Sequence, residues 1–183
     1  MAINVKYLLA NALLELCDEK PLAKLIVQDI IDKSGASRQT FYNHFRDKND
    51  LITWTYCTYI IGDFQSADMK NGFYDYLCKT QEHCVKYRNF FVQACLLEGQ
   101  NSLKEDIFEQ NYRNYLNLIV ARHGKEIITE ELLWSLRFNA MGAIGMHLKW
   151  AKEGMALAPE VKARYVLNCI PEIIKQYLPI EPE

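Results

Sequence analysis

Apolar residues three and four positions apart recur along almost the whole chain, and that spacing commits it to helices. Val5, Leu8, Leu9, Ala12, Leu13 and Leu16 form one stripe of an amphipathic helix over roughly residues 3–19, with Pro21 at or just beyond its end. Val27, Ile30 and Ile31 line a short second helix from Val27 to Ser34, and Gly35 supplies the positive-φ residue that stops it. Ser37 stands where the N-cap of a third helix belongs. A fourth helix begins near Asp47, with Asp47 and Asp50 in its first turn, and carries Leu51, Ile52, Trp54, Tyr59 and Ile60 to about Phe64. After the polar break QSADMKNG, helices are expected near residues 73–87, 89–97, 103–122, 130–152 and 159–178, with breaks at Gly99, HGKE and KEGMALAP. No alternating segment of useful length and no internal repeat interrupts the pattern, so the fold class is all-α.

Several function classes fall away on bulk properties. The 183 residues are 50% apolar and 24% charged, a globular composition long enough for a substantial core. A formal net charge of −2 argues against non-specific coating of nucleic acid. Asn11 and Glu15 interrupt the apolar run near the start, so no export signal is read there, and a cytoplasmic protein is expected. The most apolar long segment, Leu132 to Ala151, carries Arg137, His147 and Lys149, which makes a membrane span costly. The six cysteines show no CxxC spacing; Cys78, His83 and Cys84 come nearest to a ligand cluster, but their separations splay them around a helix. They read as buried, reduced thiols serving as small hydrophobes, with neither metal nor cofactor. No nucleophile–base signature or phosphate-binding glycine loop points to an enzyme.

The stretch SGASRQTFYNHF, Ser34 to Phe45, concentrates the functional signal. Phe41 and Phe45, four apart, form the buried side of a short helix, leaving Arg38, Gln39, Tyr42, Asn43 and His44 on the other. Two short helices joined by a glycine-containing turn are the helix-turn-helix signature, whose second helix enters the DNA major groove. Arg38, Gln39 and Asn43 are side chains that pair with base edges there; Tyr42, His44 and Lys48 suit phosphate oxygens. Between Lys33 and Lys48 four basic residues face a single acid, Asp47. The chain is therefore expected to comprise an N-terminal three-helix helix-turn-helix domain, residues 1–50, joined by a fourth helix to a C-terminal helical bundle within residues 51–183.

The run VQDIIDKSGASRQTFYNHFRDKNDLI resembles the DNA-binding domain of the tetracycline-repressor (TetR) family through Val27, Asp29, Ile30, Gly35, Ser37, Thr40, Tyr42, His44, Phe45, Lys48 and Leu51. The resemblance implies an effector-controlled homodimer on a palindromic operator in double-stranded DNA, a repressor by default, with residues 51–183 as its effector-binding and dimerisation domain. The site set it implies is Gln28, Ser37, Arg38, Gln39, Thr40, Tyr42, Asn43, His44 and Lys48. The chain departs from the pattern at Ile26, where members carry a capping Thr or Ser, and at Ser34, where they carry alanine.

FNAMGAIGMHLKWAKEGMALAPE, Phe138 to Glu160, is similar to a segment of a Gram-positive subgroup that includes an activator of dihydroxyacetone metabolism. That similarity keeps open a co-activator whose C-terminal domain docks a protein instead of a small molecule. Ala140, Gly142, Ala143 and Gly145 form a small-residue surface, suited either to a dimer seam through the last two helices or to close packing within the monomer. Seven tyrosines (56, 59, 74, 76, 87, 112 and 115), with His83, Gln93, Arg137 and His147, could furnish an effector cavity.

Overall fold

Local sequence chemistry sets the ends of the first four helices. A computed structural model of the chain describes residues 4–62, 69, 71–97 and 103–180. Helix α1 (Val5–Glu19) starts where the Asn4 side chain accepts the Lys6 amide, and it buries Leu9, Leu13 and Leu16. A 3-10 turn, Leu22–Lys24, leads into α2 (Val27–Ser34). Ile26, at the N-cap, has no side-chain acceptor; Asp29 supplies the reciprocal half of a capping box, accepting the Ile26 amide at 2.8 Å. That bond, with a second from Lys20, holds the Asp29 carboxyl below its ordinary pKa. Gly35, at φ 70°, ends α2 as expected.

Helix α3 (Arg38–His44) is capped by Ser37, whose Oγ accepts the Thr40 amide at 3.0 Å. Helix α4 (Lys48–Tyr56) is capped by Asp47 and then widens into a π-helical turn, Cys57–Ile61, closed by Gly62 at φ 69°. Just upstream, Thr55 Oγ1 donates to Leu51 O at 2.7 Å, a side-chain claim on the helical ladder of the kind that bends helices. The expected regular helix thus loses its register before Phe64, which, like Gly99 and most of QSADMKNG, lies outside the described residues.

The remaining helices are α5 (Gly72–Lys86), α6 (Arg88–Leu96), α7 (Leu103–His123), α8 (Glu130–Lys152), α9 (Pro159–Cys169) and α10 (Glu172–Lys175). The single helix expected over 159–178 is two. Pro171 has no amide to donate and forces Ile170 into extended backbone (φ −66°, ψ 125°), so the chain stops and restarts. The HGKE and KEGMALAP breaks occur as expected, with Gly124 and Gly154 at positive φ.

Two apolar cores result. The first runs through α1–α4 and takes in Phe90, Phe91, Ala94 and Cys95 of α6, the start of α7, and Ile144, Trp150 and Ala151 of α8. The second joins α5, α7, the first half of α8, α9 and α10. Helix α6 is also hydrogen-bonded to the N-terminal unit: Gln93 Nε2 donates to Cys17 O at 2.9 Å and Gln93 Oε1 accepts the Leu22 amide at 2.6 Å. Asn89 adds a bond to Asp18, at 2.6 Å.

All six cysteines are free. Cys17, Cys84 and Cys95 are buried, and burial pushes each thiol up to about 12, so these are inert packing groups. Cys57 and Cys78 are half-buried and Cys169 is exposed, which corrects the expectation that all six are interior. No helix among the described residues is long and apolar enough to cross a membrane.

Candidate nucleic-acid interface

Helix α3 is pinned from behind. Phe41 and Phe45 are both buried, with ring centroids 6.0 Å apart, and Phe45 meets Trp54 of α4 edge-on at 5.9 Å. With that side fixed, Arg38, Gln39, Tyr42, Asn43 and His44 all lie exposed on the other. The Arg38 guanidinium lies 5.5 Å from the Tyr42 ring centroid, close enough for cation–π attraction to order the long side chain before it meets anything else. Thr40 is half-buried, its Oγ1 2.8 Å from Ser37 Oγ, so these two hydroxyls mainly hold the start of the helix. The result is a row of arginine, glutamine and asparagine on a seven-residue helix whose register cannot rotate without exposing two phenylalanines.

The flanking charges are less uniform than their count in the sequence implies. Lys33 is turned away onto α1, bonded to Glu19 at 2.8 Å and Glu15 at 3.3 Å, which raises its pKa. Arg46 is highly exposed, with Nε 3.7 Å from Asp50. Gln28, exposed on α2, donates to Asp32 Oδ1 at 2.8 Å. Lys48 Nζ donates to Leu22 O at 3.0 Å and Leu25 O at 2.7 Å, tying the turn before α2 to the start of α4. Those bonds take two of its three N–H groups, and partial burial lowers its pKa.

Lys6, absent from the sequence-derived set, stands beside this row. Its ammonium lies 5.5 Å from the Phe45 ring and 5.7 Å from the Trp54 ring, placing a cation next to the C-terminal end of α3. Only a contact across some forty residues brings it there, and helical periodicity carries no such signal.

Residues 9–53 match the family described as bacterial regulatory proteins, tetR family. The N-terminal region is thus similar to the DNA-binding segment of that family. The TetR match ends within α4, and two wider likenesses extend beyond it. The chain is 26% identical over 129 residues to the HTH-type dhaKLM operon transcriptional activator DhaS of Lactococcus lactis subsp. lactis (strain IL1403), spanning 62% of this chain and 66%, just under two thirds, of that protein. The solved structure of the dihydroxyacetone kinase operon activator DhaS superimposes with a TM-score of 0.67 at 17% identity, covering 97% of this chain and 99% of that one. NalD of Pseudomonas aeruginosa, described as the secondary repressor of the MexAB-OprM multidrug efflux pump, superimposes with a TM-score of 0.55 at 18% identity, covering 94% and 96%. Both structures share this chain's fold over nearly their full length. Among the described residues no group of three or more His, Cys, Asp or Glu could hold a metal.

Away from α3, the C-terminal region exposes a second surface. Trp134 (74% exposed), Phe138 (78%), Met141 and Met146 run along one side of α8, and Val161 and Tyr165 continue it on α9. A Cβ built at Gly142 or Gly145 meets nothing within 4 Å, so these glycines do not serve close packing inside the protomer. The tyrosines expected around one cavity are dispersed: Tyr56, Tyr59 and Tyr87 belong to the first core, and Tyr74, Tyr76, Tyr112 and Tyr115 to the second.

Proposed function

We propose that the chain binds a palindromic operator as a homodimer in the cytoplasm, with residues 1–50 reading DNA and residues 51–183 carrying dimerisation and effector response. The observation that carries this reading is the exposed polar row of α3 over its buried phenylalanines. Arg38, Gln39 and Asn43 take base edges; Gln28, Ser37, Thr40, Tyr42, His44 and the remaining N–H of Lys48 take phosphates, with Lys6 beside them. Two copies joined through α8 and α9 would present two such rows to successive major-groove faces about 34 Å apart, and the bare apolar stripe from Trp134 to Tyr165 supports that seam. A tilt of α4 then misplaces both rows; a complete effector switch needs about 5.5 kcal/mol of differential binding.

The described role of DhaS as an operon activator favours activation over the repression expected by default. The same apolar stripe would equally suit a co-activator that docks a different protein, and sedimentation of the purified chain decides between self-association and that reading.

The test is a gel shift against DNA from upstream of the chain's own coding region, followed by footprinting. Two protected half-sites one helical turn apart support the reading; indifference to every duplex at modest ionic strength ends it. Arg38→Ala is expected to relax preference at one base pair by about 1–3 kcal/mol. Unchanged affinity and preference would remove Arg38 as a base reader.

A further inference from the structure

Between α8 and α9 lies a cavity of about 320 Å³, within the size range of small-molecule sites. Its walls are mainly apolar, built from Phe138, Ala143, Met146, Leu157 and Val166. The acid on the wall, Glu153, is already paired with Lys149 at 3.7 Å. Lys162 also lines the cavity, yet it is only 4% exposed.

Every group that meets this ammonium is neutral. Nζ donates to Gln81 Oε1 at 2.5 Å and to His147 Nδ1 at 2.8 Å, and it lies 4.2 Å from the centroid of the Trp150 ring. Burial and Lys162 together hold the imidazole well below its usual pKa, so His147 is a neutral acceptor. Among the described residues no carboxylate pairs with Lys162, and burial lowers its pKa to about 8. In the same wall the Trp150 Nε1 is buried with no hydrogen-bond partner. A cation withdrawn from water without a counter-charge is costly, and here two of its three N–H groups go to uncharged acceptors while the third has only an indole face.

We propose that the cavity between α8 and α9 is a binding site for a small organic monocarboxylate, its charge met by Lys162 and its apolar body by Phe138, Met146 and Leu157. One ammonium balances one negative charge, and the apolar walls exclude a heavily hydrated polyanion. The inference goes beyond the DNA-binding reading. It touches the proposed seam at one point, because Phe138, Met146 and Tyr165 belong to both surfaces and a second copy seated there would roof the cavity.

The experiment titrates the intact protein by calorimetry with hexanoate and with hexan-1-ol, after sedimentation has fixed its oligomeric state. Hexanoate is expected to bind about tenfold tighter or more than the alcohol at pH 7. That preference should fade as pH rises through the bound-state pKa of Lys162, above the free value of about 8, while the carboxylate stays ionised. Lys162→Met should abolish both the preference and its pH dependence; should that variant fail to fold, the wild-type pH profile carries the test. Equal binding of the two compounds, no binding of either at millimolar concentration, or an undiminished preference in Lys162→Met overturns the proposal. So does a weakened dimer in Lys162→Met with no hexanoate binding, which would give the ammonium to the second copy. A gel shift on the same sample reports on DNA reading separately.

Discussion

Lys48 illustrates how one side chain can serve the reading helix from underneath. Its bonds to Leu22 O and Leu25 O join the turn before α2 to the start of α4, so truncation removes two charge-assisted contacts as well as a cation. Lys48→Ala is therefore expected to lower thermal stability by about 1–3 kcal/mol, measured by calorimetric melting, and to weaken all duplexes alike with a shallower salt slope. Lys162 makes a second residue-scale prediction. Its folded pKa of about 8 lies below the ordinary lysine value of 10.5, so between those values the unfolded chain binds more protons. Stability contributed through this group rises as pH increases across that window. Denaturant titrations at pH 7.5 and 10 should show the rise in the wild type and lose it in Lys162→Met.

Elements follow their sequences where the determinants are local. Gly35 stops α2 at φ 70°, and a Cβ there meets nothing within 4 Å, so the cost of a side chain is purely that of the left-handed backbone. Gly35→Ala is expected to destabilise by about 1–2 kcal/mol with no clash to relieve, read from the shift in denaturation midpoint. The turn, the Ser37 cap and the Phe41–Phe45 spacing were legible because each is settled within four residues. Pro171 was equally local, and the apolar spacing on both sides of it masked the break. The π-helical turn at Cys57–Ile61 was not legible, since periodicity counts apolar positions and does not register one extra residue in a ladder. Long-range pairings were hidden for another reason: Lys33 meets Glu15 and Glu19 across two helices, and Lys162 meets Gln81 from 81 positions away. Counting charge between Lys33 and Lys48 therefore overstated the cationic face, and no feature near Lys162 announced a buried ammonium.

At the scale of the whole molecule, two surfaces divide the proposed work, α3 facing DNA and the α8–α9 face meeting a second copy. The paired substitution Trp134→Lys with Phe138→Lys should convert a dimer to a monomer in sedimentation velocity. Operator affinity would then fall far more than the affinity of one copy for a single half-site, because the second contact no longer forms within the same complex. Folding should survive, since both side chains are more than 70% exposed. Between the two surfaces stands α6, whose Gln93 amide spans the end of α1 and the turn before α2. Anyone building a chimera by transplanting residues 1–50 onto another helical body would cut away this amide, leaving the Leu22 N–H and the Cys17 carbonyl to water. A hybrid that keeps its specificity should need a glutamine at the equivalent place in the recipient, so the useful unit of exchange for this protein is discontinuous in sequence.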